Sequence, residues 1–128
     1  MNLSEKYHKY INCLNSGDLD QLADFVCEDV VYNGSAIGLQ GYRRMLEGNY
    51  ADIPDIRFVV ELLVADSLTV ASRLYFNCRP QAEFRGLQIN GQQIQFHENV
   101  FYRFRDGKIA QVWSVIDQAE IQQQILHS

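Results

Sequence analysis

Two side chains in the second half of the chain are suited to proton transfer. Asp117 ends the apolar run "VWSVID", and His97 in "FHENVF" is the histidine that lies inside a strand pattern. A positioned carboxylate or imidazole can serve as a general acid or base. Apolar neighbours would remove water from the Asp117 carboxyl and raise its pKa, which makes it a stronger base. Asp117 and His97 are therefore candidate catalytic residues.

Asp117 also has a structural explanation. The stretch "DQAE" is a capping pattern, in which Asp117 would accept amide hydrogen bonds at the start of the last helix and contribute about 1 kcal/mol. A helix N-terminus favours the ionised carboxylate and so lowers its pKa. Both explanations stay open, because one carboxylate can fill both roles.

The turn between the last two strands decides whether His97 and Asp117 lie on one face of the sheet. With a two-residue loop at Asp106-Gly107, paired residue numbers sum to 213 and the two side chains point to opposite faces. With a three-residue loop, the sum is 212 and they share a face. The apolar alternation favours the two-residue loop, and a bulge elsewhere would reverse its consequence.

Five further residues are candidates for shaping a ligand pocket. Aromatic side chains can line a cavity, and those of tyrosine and tryptophan can also donate a hydrogen bond, although both are common in cores. Asn33 precedes Gly34, where a turn is its usual role. The predicted substrate-binding residues are Trp113, Tyr10, Asn33, Phe101 and Val115.

Composition and spacing argue against several classes of function. The formal charge is -5, with no block of like charges, which disfavours nucleic acid as a partner. Three widely spaced cysteines form no CxxC pair, and no histidine has a second ligand at metal spacing, so we expect neither a disulfide nor a metal. No glycine-rich cofactor motif occurs, and we expect no cofactor. No apolar run approaches 18 residues and no signal peptide is apparent, which predicts a cytoplasmic protein without a membrane segment.

The apolar periodicity changes once along the chain. Helical spacing predicts a helix over residues 3–15, a second short helix after Gly17, and a third that ends at Pro54. A short strand lies before the third helix, and from Ile56 onward the period is two, with Asn90-Gly91 and Asp106-Gly107 as hairpin turns. Helices followed by hairpin-linked strands predict one α+β domain over residues 1–128.

Several stretches together resemble a known family. "GLQGYRRML", "DIPDIRF", "VELLVAD", "EFRGLQINGQQIQF" and "YRFRDGKIAQVWSVIDQAEIQQQIL" are similar to successive motifs of the SnoaL-like polyketide cyclases, or predicted ester cyclases, of the nuclear-transport-factor-2-like superfamily. The resemblance covers about residues 28 to 126. It implies a cystatin-like cone, in which three N-terminal helices pack on a curved antiparallel sheet and a short C-terminal helix follows.

The resemblance also implies a chemistry. Characterised members of that family close a ring of an aromatic polyketide ester by an intramolecular aldol condensation, without metal or cofactor. The aspartate of their Trp-x-x-x-Asp motif is the acid–base residue, and Trp113 and Asp117 match that motif. This chain departs from the family at "NCRPQAEF" and at Ile89-Asn90-Gly91, so the identity of the substrate does not carry over.

Ketosteroid isomerases resemble the chain less well. Tyr10 matches their oxyanion tyrosine, but Gly34 and Val100 stand where their base and second acid are expected, which disfavours steroid isomerisation. The sequence thus predicts a homodimer through its sheet that binds a small apolar carbonyl compound and acts on it as a cyclase, isomerase or hydrolase by general acid–base chemistry. The alternative is a non-catalytic ligand-binding or accessory dimerisation domain.

Overall fold

The computed structural model describes residues 2–126 of the 128-residue chain. The elements, in chain order, are α1 (Leu3–Ser16), β1 (Val26–Tyr32), α2 (Gly38–Asp52), β2 (Val59–Ala65), β3 (Thr69–Cys78), β4 (Glu83–Phe84), β5 (Leu87–Gln88), β6 (Ile94–Arg105), β7 (Lys108–Ile116) and α3 (Gln118–Leu126). None of the helices described is long and apolar enough to cross a membrane.

Helix α1 begins and ends where its sequence signals lie. The Asn2 side chain accepts a hydrogen bond from the backbone N–H of Glu5 at 2.9 Å, as an N-cap does. Gly17 ends the helix in the left-handed region at φ 74°, which glycine adopts without steric cost. The buried face of α1 carries Tyr7, Tyr10 and Leu14, and this face covers one side of the sheet.

The second predicted helix is only one turn of 3₁₀-helix, Leu22–Asp24. Leu19 and Leu22 are buried as the helical spacing requires. Val26, however, already begins β1 and pairs with Ile109 of β7. Pairing with the sheet therefore ends the helical turn early, which the local spacing does not reveal.

The main sheet has the strand order β1-β7-β6-β3-β2, and β4 and β5 form a separate hairpin. β2, β3, β6 and β7 pair antiparallel, but β1 runs parallel to β7. The prediction of a fully antiparallel sheet is corrected at this edge: the chain leaves β1 through α2 and enters the opposite edge at β2. The α+β class and the cone of helices packed on a sheet are confirmed.

The two faces of the sheet have different environments. Along β6, Phe96, Val100 and Tyr102 point inward and are at most 3% exposed. The alternate residues, among them Phe101, point outward, because side chains alternate along a strand.

The hairpin between β6 and β7 has the two-residue turn that the alternation favours. Arg105 pairs with Lys108, and both turn residues, Asp106 and Gly107, have positive φ, at 53° and 79°. This conformation matches a type I′ turn, whose twist suits a hairpin.

A bulge then changes the register of the same hairpin. Phe104 pairs with Ile109 and Arg103 with Gln111, which leaves Ala110 without a partner. Ile109 and Ala110 are adjacent and both buried, an arrangement that a regular strand does not allow. The expectation that the two-residue loop separates His97 from Asp117 is therefore wrong: they lie opposite each other, and Asp117 N–H donates to the His97 carbonyl at 2.9 Å.

Helix α3 starts at this point because Asp117 caps it. Asp117 Oδ1 accepts a hydrogen bond from the Glu120 N–H at 3.3 Å. Farther along the helix, the Gln124 side-chain amide accepts from the Gln95 N–H and donates to the Gln95 carbonyl, so it replaces the strand partner that β6 lacks there.

The capping geometry predicts how Asp117 variants behave. Asp117→Ala is expected to lower the free energy of unfolding by about 1 kcal/mol, whereas Asp117→Asn should stay within about 0.5 kcal/mol of wild type, because an amide oxygen also caps a helix. Urea unfolding followed by circular dichroism measures both variants. Equal losses in the two variants would contradict the capping role.

Candidate active site

A cavity of about 180 Å³ lies at the inner face of the sheet, bordered by α2 and the β4–β5 hairpin. Most of its wall is apolar and includes Met45, Ile53, Phe58, Phe76 and Phe96. Its polar or charged wall residues are Tyr32, Asn49, Arg85 and Glu98. An apolar concavity with a few convergent polar groups is the usual form of a small-molecule site.

Glu98 is the acidic residue in this wall. Its position on β6 follows the inward alternation of Phe96, Val100 and Tyr102, so the strand itself directs a carboxylate into an apolar space. The hydroxyl of Ser114, on the neighbouring strand β7, donates a hydrogen bond to Glu98 Oε2. This bond fixes the carboxyl at the cavity wall.

Burial raises the pKa of Glu98 above its ordinary value. The hydrogen bond from Ser114 and the positive charge of Arg85 act in the opposite direction and offset part of this effect. A carboxyl with a raised pKa is a stronger base when ionised and a usable acid when protonated. Glu98 therefore has the electrostatic environment expected of an acid–base residue.

Buried tyrosines surround a smaller space, of about 40 Å³, which Glu98 also borders. The hydroxyls of Tyr10 and Tyr42 lie 2.6 Å apart, and both residues are 2% exposed. Burial raises the pKa of each phenol, so both stay protonated at neutral pH. Because one hydroxyl donates to the other, the second keeps a proton that it can donate to a ligand.

The predicted substrate-binding residues fall into two groups. Tyr10 borders the space beside Glu98. Asn33 lies in an exposed turn, where its side chain donates to the Ser114 carbonyl at 3.2 Å and accepts from the Ser114 N–H at 2.8 Å. Asn33 therefore holds the backbone of the residue whose hydroxyl contacts Glu98, and does not itself border the cavity.

Trp113, Phe101 and Val115 lie on the outer face of the sheet. Phe101 and Trp113 are paired across β6 and β7. Phe101 is 54% exposed, Trp113 41% and Val115 67%. The expectation that they line the same cavity as Tyr10 does not hold for this geometry. The reason is strand alternation: the bulge at Ala110 turns Trp113 and Val115 to the face opposite Glu98.

His97 and Asp117 are brought together on this outer side. His97 Nδ1 lies 2.9 Å from Glu120 Oε1 and its Nε2 lies 3.0 Å from Glu61 Oε2, with 15% of its side chain exposed. Burial lowers the pKa of His97, but the hydrogen bonds to Glu61 and Glu120 outweigh this and raise it. The imidazole thus links α3 to β2. Neither His97 nor Asp117 borders the cavity of Glu98, and their catalytic roles stay predictions.

Sequence reasoning missed Glu98, although a signal was present. Glu98 is a charged residue at an inward position of β6, between Phe96 and Val100. A charge at such a position is costly unless it is paired or functional. The sequence pattern pointed to the neighbouring His97 instead, because it is the histidine that lies inside a predicted strand.

Comparisons with known proteins agree with this architecture. The family model of the SnoaL-like polyketide cyclases matches residues 4–125. The crystal structure of a SnoaL-like polyketide cyclase from Agrobacterium tumefaciens strain C58 is 45% identical, covers 98% of each chain and has a TM-score of 0.97. No curated protein sequence matches the chain.

More distant structures share the fold alone. IdmH from Streptomyces antibioticus, which is proposed to be a polyketide cyclase, is 23% identical over 98% of this chain and 99% of its own, with a TM-score of 0.84. AclR from Streptomyces galilaeus, which is proposed to be a hydroxylase, is 23% identical over 98% of this chain and 96% of its own, with a TM-score of 0.79. The family match over nearly the whole chain shows that this protein belongs to the SnoaL-like polyketide cyclase family.

Proposed function

We propose that this protein binds a small apolar carbonyl compound in the Glu98 cavity and catalyses proton transfer at the carbon next to the carbonyl. The observation that carries the proposal is the Glu98 carboxyl, which is desolvated among apolar side chains and has a raised pKa. Proton transfer of this kind requires no metal or organic cofactor. It is also the first step of an aldol ring closure, and ring closure is the reaction that the family name indicates.

Groups beside the cavity can receive the proton and stabilise the negative charge that develops in such a step. Ionised Glu98 would take the proton from the carbon, and the resulting enolate would carry negative charge on its oxygen. The Tyr10–Tyr42 pair holds a phenol proton beside the smaller space that Glu98 also borders, and a fixed donor there would stabilise an enolate oxygen that lies next to it. Because the site is largely apolar, this hydrogen bond would be stronger than the same bond in water.

The size of the cavity limits the substrate. About 180 Å³ is less than the roughly 300–1,000 Å³ of pockets that hold drug-sized ligands, and slightly more than the roughly 150 Å³ of an engineered cavity that binds benzene. We therefore propose a substrate with one ring, or two small ones, inside the cavity. Phe76 and Phe96, whose rings stack at 5.0 Å between centroids, offer its apolar part a flat surface.

The proposed proton transfer can be tested with an uncharged probe. Acetophenone in D₂O exchanges its methyl protons through an enol or enolate, and proton NMR measures the rate. We expect the wild-type protein to accelerate this exchange and Glu98→Gln to lose ~10²-fold or more of the acceleration, because a positioned base contributes ~10²- to 10⁴-fold. Gln has the shape of Glu and can keep the Ser114 contact.

Glu28→Gln is the matched control, since it removes an exposed carboxylate that borders no part of the Glu98 cavity. Circular dichroism must show that all variants are folded. Exchange that is equally fast with Glu98→Gln and wild type, or no acceleration by the wild type, would contradict the proposed chemistry. In the latter case a non-catalytic ligand-binding role would be the better description.

We also propose that the outer face of the sheet joins two copies of the chain. Large hydrophobic side chains are exposed together there: Leu62 at 60%, Phe101 at 54%, Trp113 at 41% and Val115 at 67%. A contiguous apolar patch of this kind commonly marks an interface, and two-fold dimers bury the same patch on both subunits.

We further propose a cytoplasmic location, since Cys13, Cys27 and Cys78 are all free, as in a reducing compartment.

The dimer predicts a specific effect of charge on its surface. Trp113→Glu places a carboxylate in the centre of the patch and is expected to convert the protein to a monomer, because burying an unpaired charge is costly. Gln40→Glu, at an exposed position of α2, should not change the mass. Light scattering measures both variants. A monomeric wild type, or a Trp113→Glu variant that stays dimeric, would contradict the proposed interface.

A further inference from the structure

One of the four turns of this kind within residues 2–126 has an unusual residue. Two-residue turns in which both residues have positive φ occur at Asn33-Gly34, Arg85-Gly86, Asn90-Gly91 and Asp106-Gly107. Asn and Asp tolerate this left-handed conformation, whereas a long side chain such as Arg adopts it at a cost in energy. Arg85, with φ 55°, is thus the exception at a position where the chain elsewhere uses Asn or Asp. Strain of this kind calls for a compensating role.

The turn places Arg85 at the wall of the Glu98 cavity. It joins β4 to β5, and the Gln118 side chain donates a hydrogen bond to the Arg85 carbonyl at 2.7 Å. This contact ties the tip of the hairpin to the start of α3. The backbone of Arg85 is therefore held in position, while its side chain extends from the end of the hairpin.

The guanidinium of Arg85 lacks a partner among residues 2–126: neither a hydrogen bond nor an ion pair engages it. Arg43, Arg73 and Arg105, by contrast, each pair with a carboxylate. Arg85 is near enough to Glu98 to lower the pKa of its carboxyl, yet the two do not form an ion pair within 4.0 Å.

We propose that Arg85 determines specificity by binding a carboxylate of the substrate, so that the substrate is a small apolar keto acid. This inference rests on the proposed function, in which Glu98 acts beside the carbonyl of the same molecule. Arginine binds carboxylates through two parallel hydrogen bonds. A single guanidinium matches the single charge of a carboxylate, and its positive charge offsets the repulsion between that carboxylate and Glu98. The acidic substrate also explains why the turn keeps Arg in place of Asn.

Matched ligands test this assignment by affinity, without turnover. The probes are benzoylformate and 4-acetylbenzoate, each compared with its methyl ester, and calorimetry at pH 7 gives the dissociation constants. We expect the wild type to bind each acid about tenfold more tightly than its ester, a preference that Arg85→Ala removes. Raising the salt concentration should weaken binding of the acids and leave the esters unaffected. Arg44→Ala, at an exposed position of α2, is the matched control and should keep the preference.

A second variant separates binding from a purely structural role. Arg85→Asn puts the residue type of the other turns at this position, so it is expected to raise the melting temperature by about 2–4 °C while it removes the preference for acids. Equal affinity of the wild type for acids and esters, failure to bind the acids, or a preference that survives in both Arg85 variants would overturn the proposal. Failure of the acetophenone exchange test would instead overturn the base role of Glu98 and leave these affinities unchanged.

Discussion

The desolvation of one carboxyl group organises the candidate site. Glu98 stands at an inward position of β6, where its neighbours on the same face are Phe96 and Val100. The sheet directs this side chain toward an apolar cavity, and the hydroxyl of Ser114 holds it there. Removing water from a carboxylate is costly, so such a group is retained when the protein uses it or compensates for it. Arg85 places a positive charge at the wall of this cavity, and Tyr10 and Tyr42 place a phenol proton donor at the smaller space that Glu98 also borders.

The adjacent residues His97 and Glu98 of β6 have different roles, because they point to opposite faces of the sheet. His97 is one residue from Glu98 and points to the opposite side, between the carboxylates of Glu61 and Glu120. Asp117 caps α3, which brings Glu120 to that histidine. This polar cluster fastens α3 to the sheet. His97 and Asp117 therefore have structural roles on the outer side of the sheet. The Glu98 carboxyl, in the cavity, contacts none of the groups in this cluster.

Much of the fold follows from local signals in the sequence. Asn2 and Gly17 mark the ends of α1, and Asn90-Gly91 and Asp106-Gly107 mark hairpins, because each residue type has a conformational reason to be there. The family, and with it the cone of helices on a sheet, could also be recognised from motifs. The parallel pairing of β1 with β7 could not, since it depends on strands more than 70 residues apart in the chain.

The candidate site was harder to predict, for a physical reason. The bulge at Ala110 arises because Ile109 and Ala110 are both buried against the rest of the protein, and nothing in their own sequence requires it. One unpaired residue reverses which face Trp113 and Val115 occupy, so site residues deduced from a regular register fall on the wrong side. The inward position of Glu98, by contrast, follows from the alternation along β6 alone and does not depend on how β6 pairs with β7.

The pKa of Glu98 is the quantity on which this account most depends. Carbon-13 NMR of the side-chain carboxyl, assigned by loss of its signal in Glu98→Gln, measures that pKa in the folded protein. We expect a value above 4.5, the ordinary value for glutamic acid, because burial outweighs the hydrogen bond from Ser114 and the charge of Arg85. A pKa at or below 4.5 would show a hydrated or fully paired carboxylate and would contradict the assignment of Glu98 as the acid–base residue.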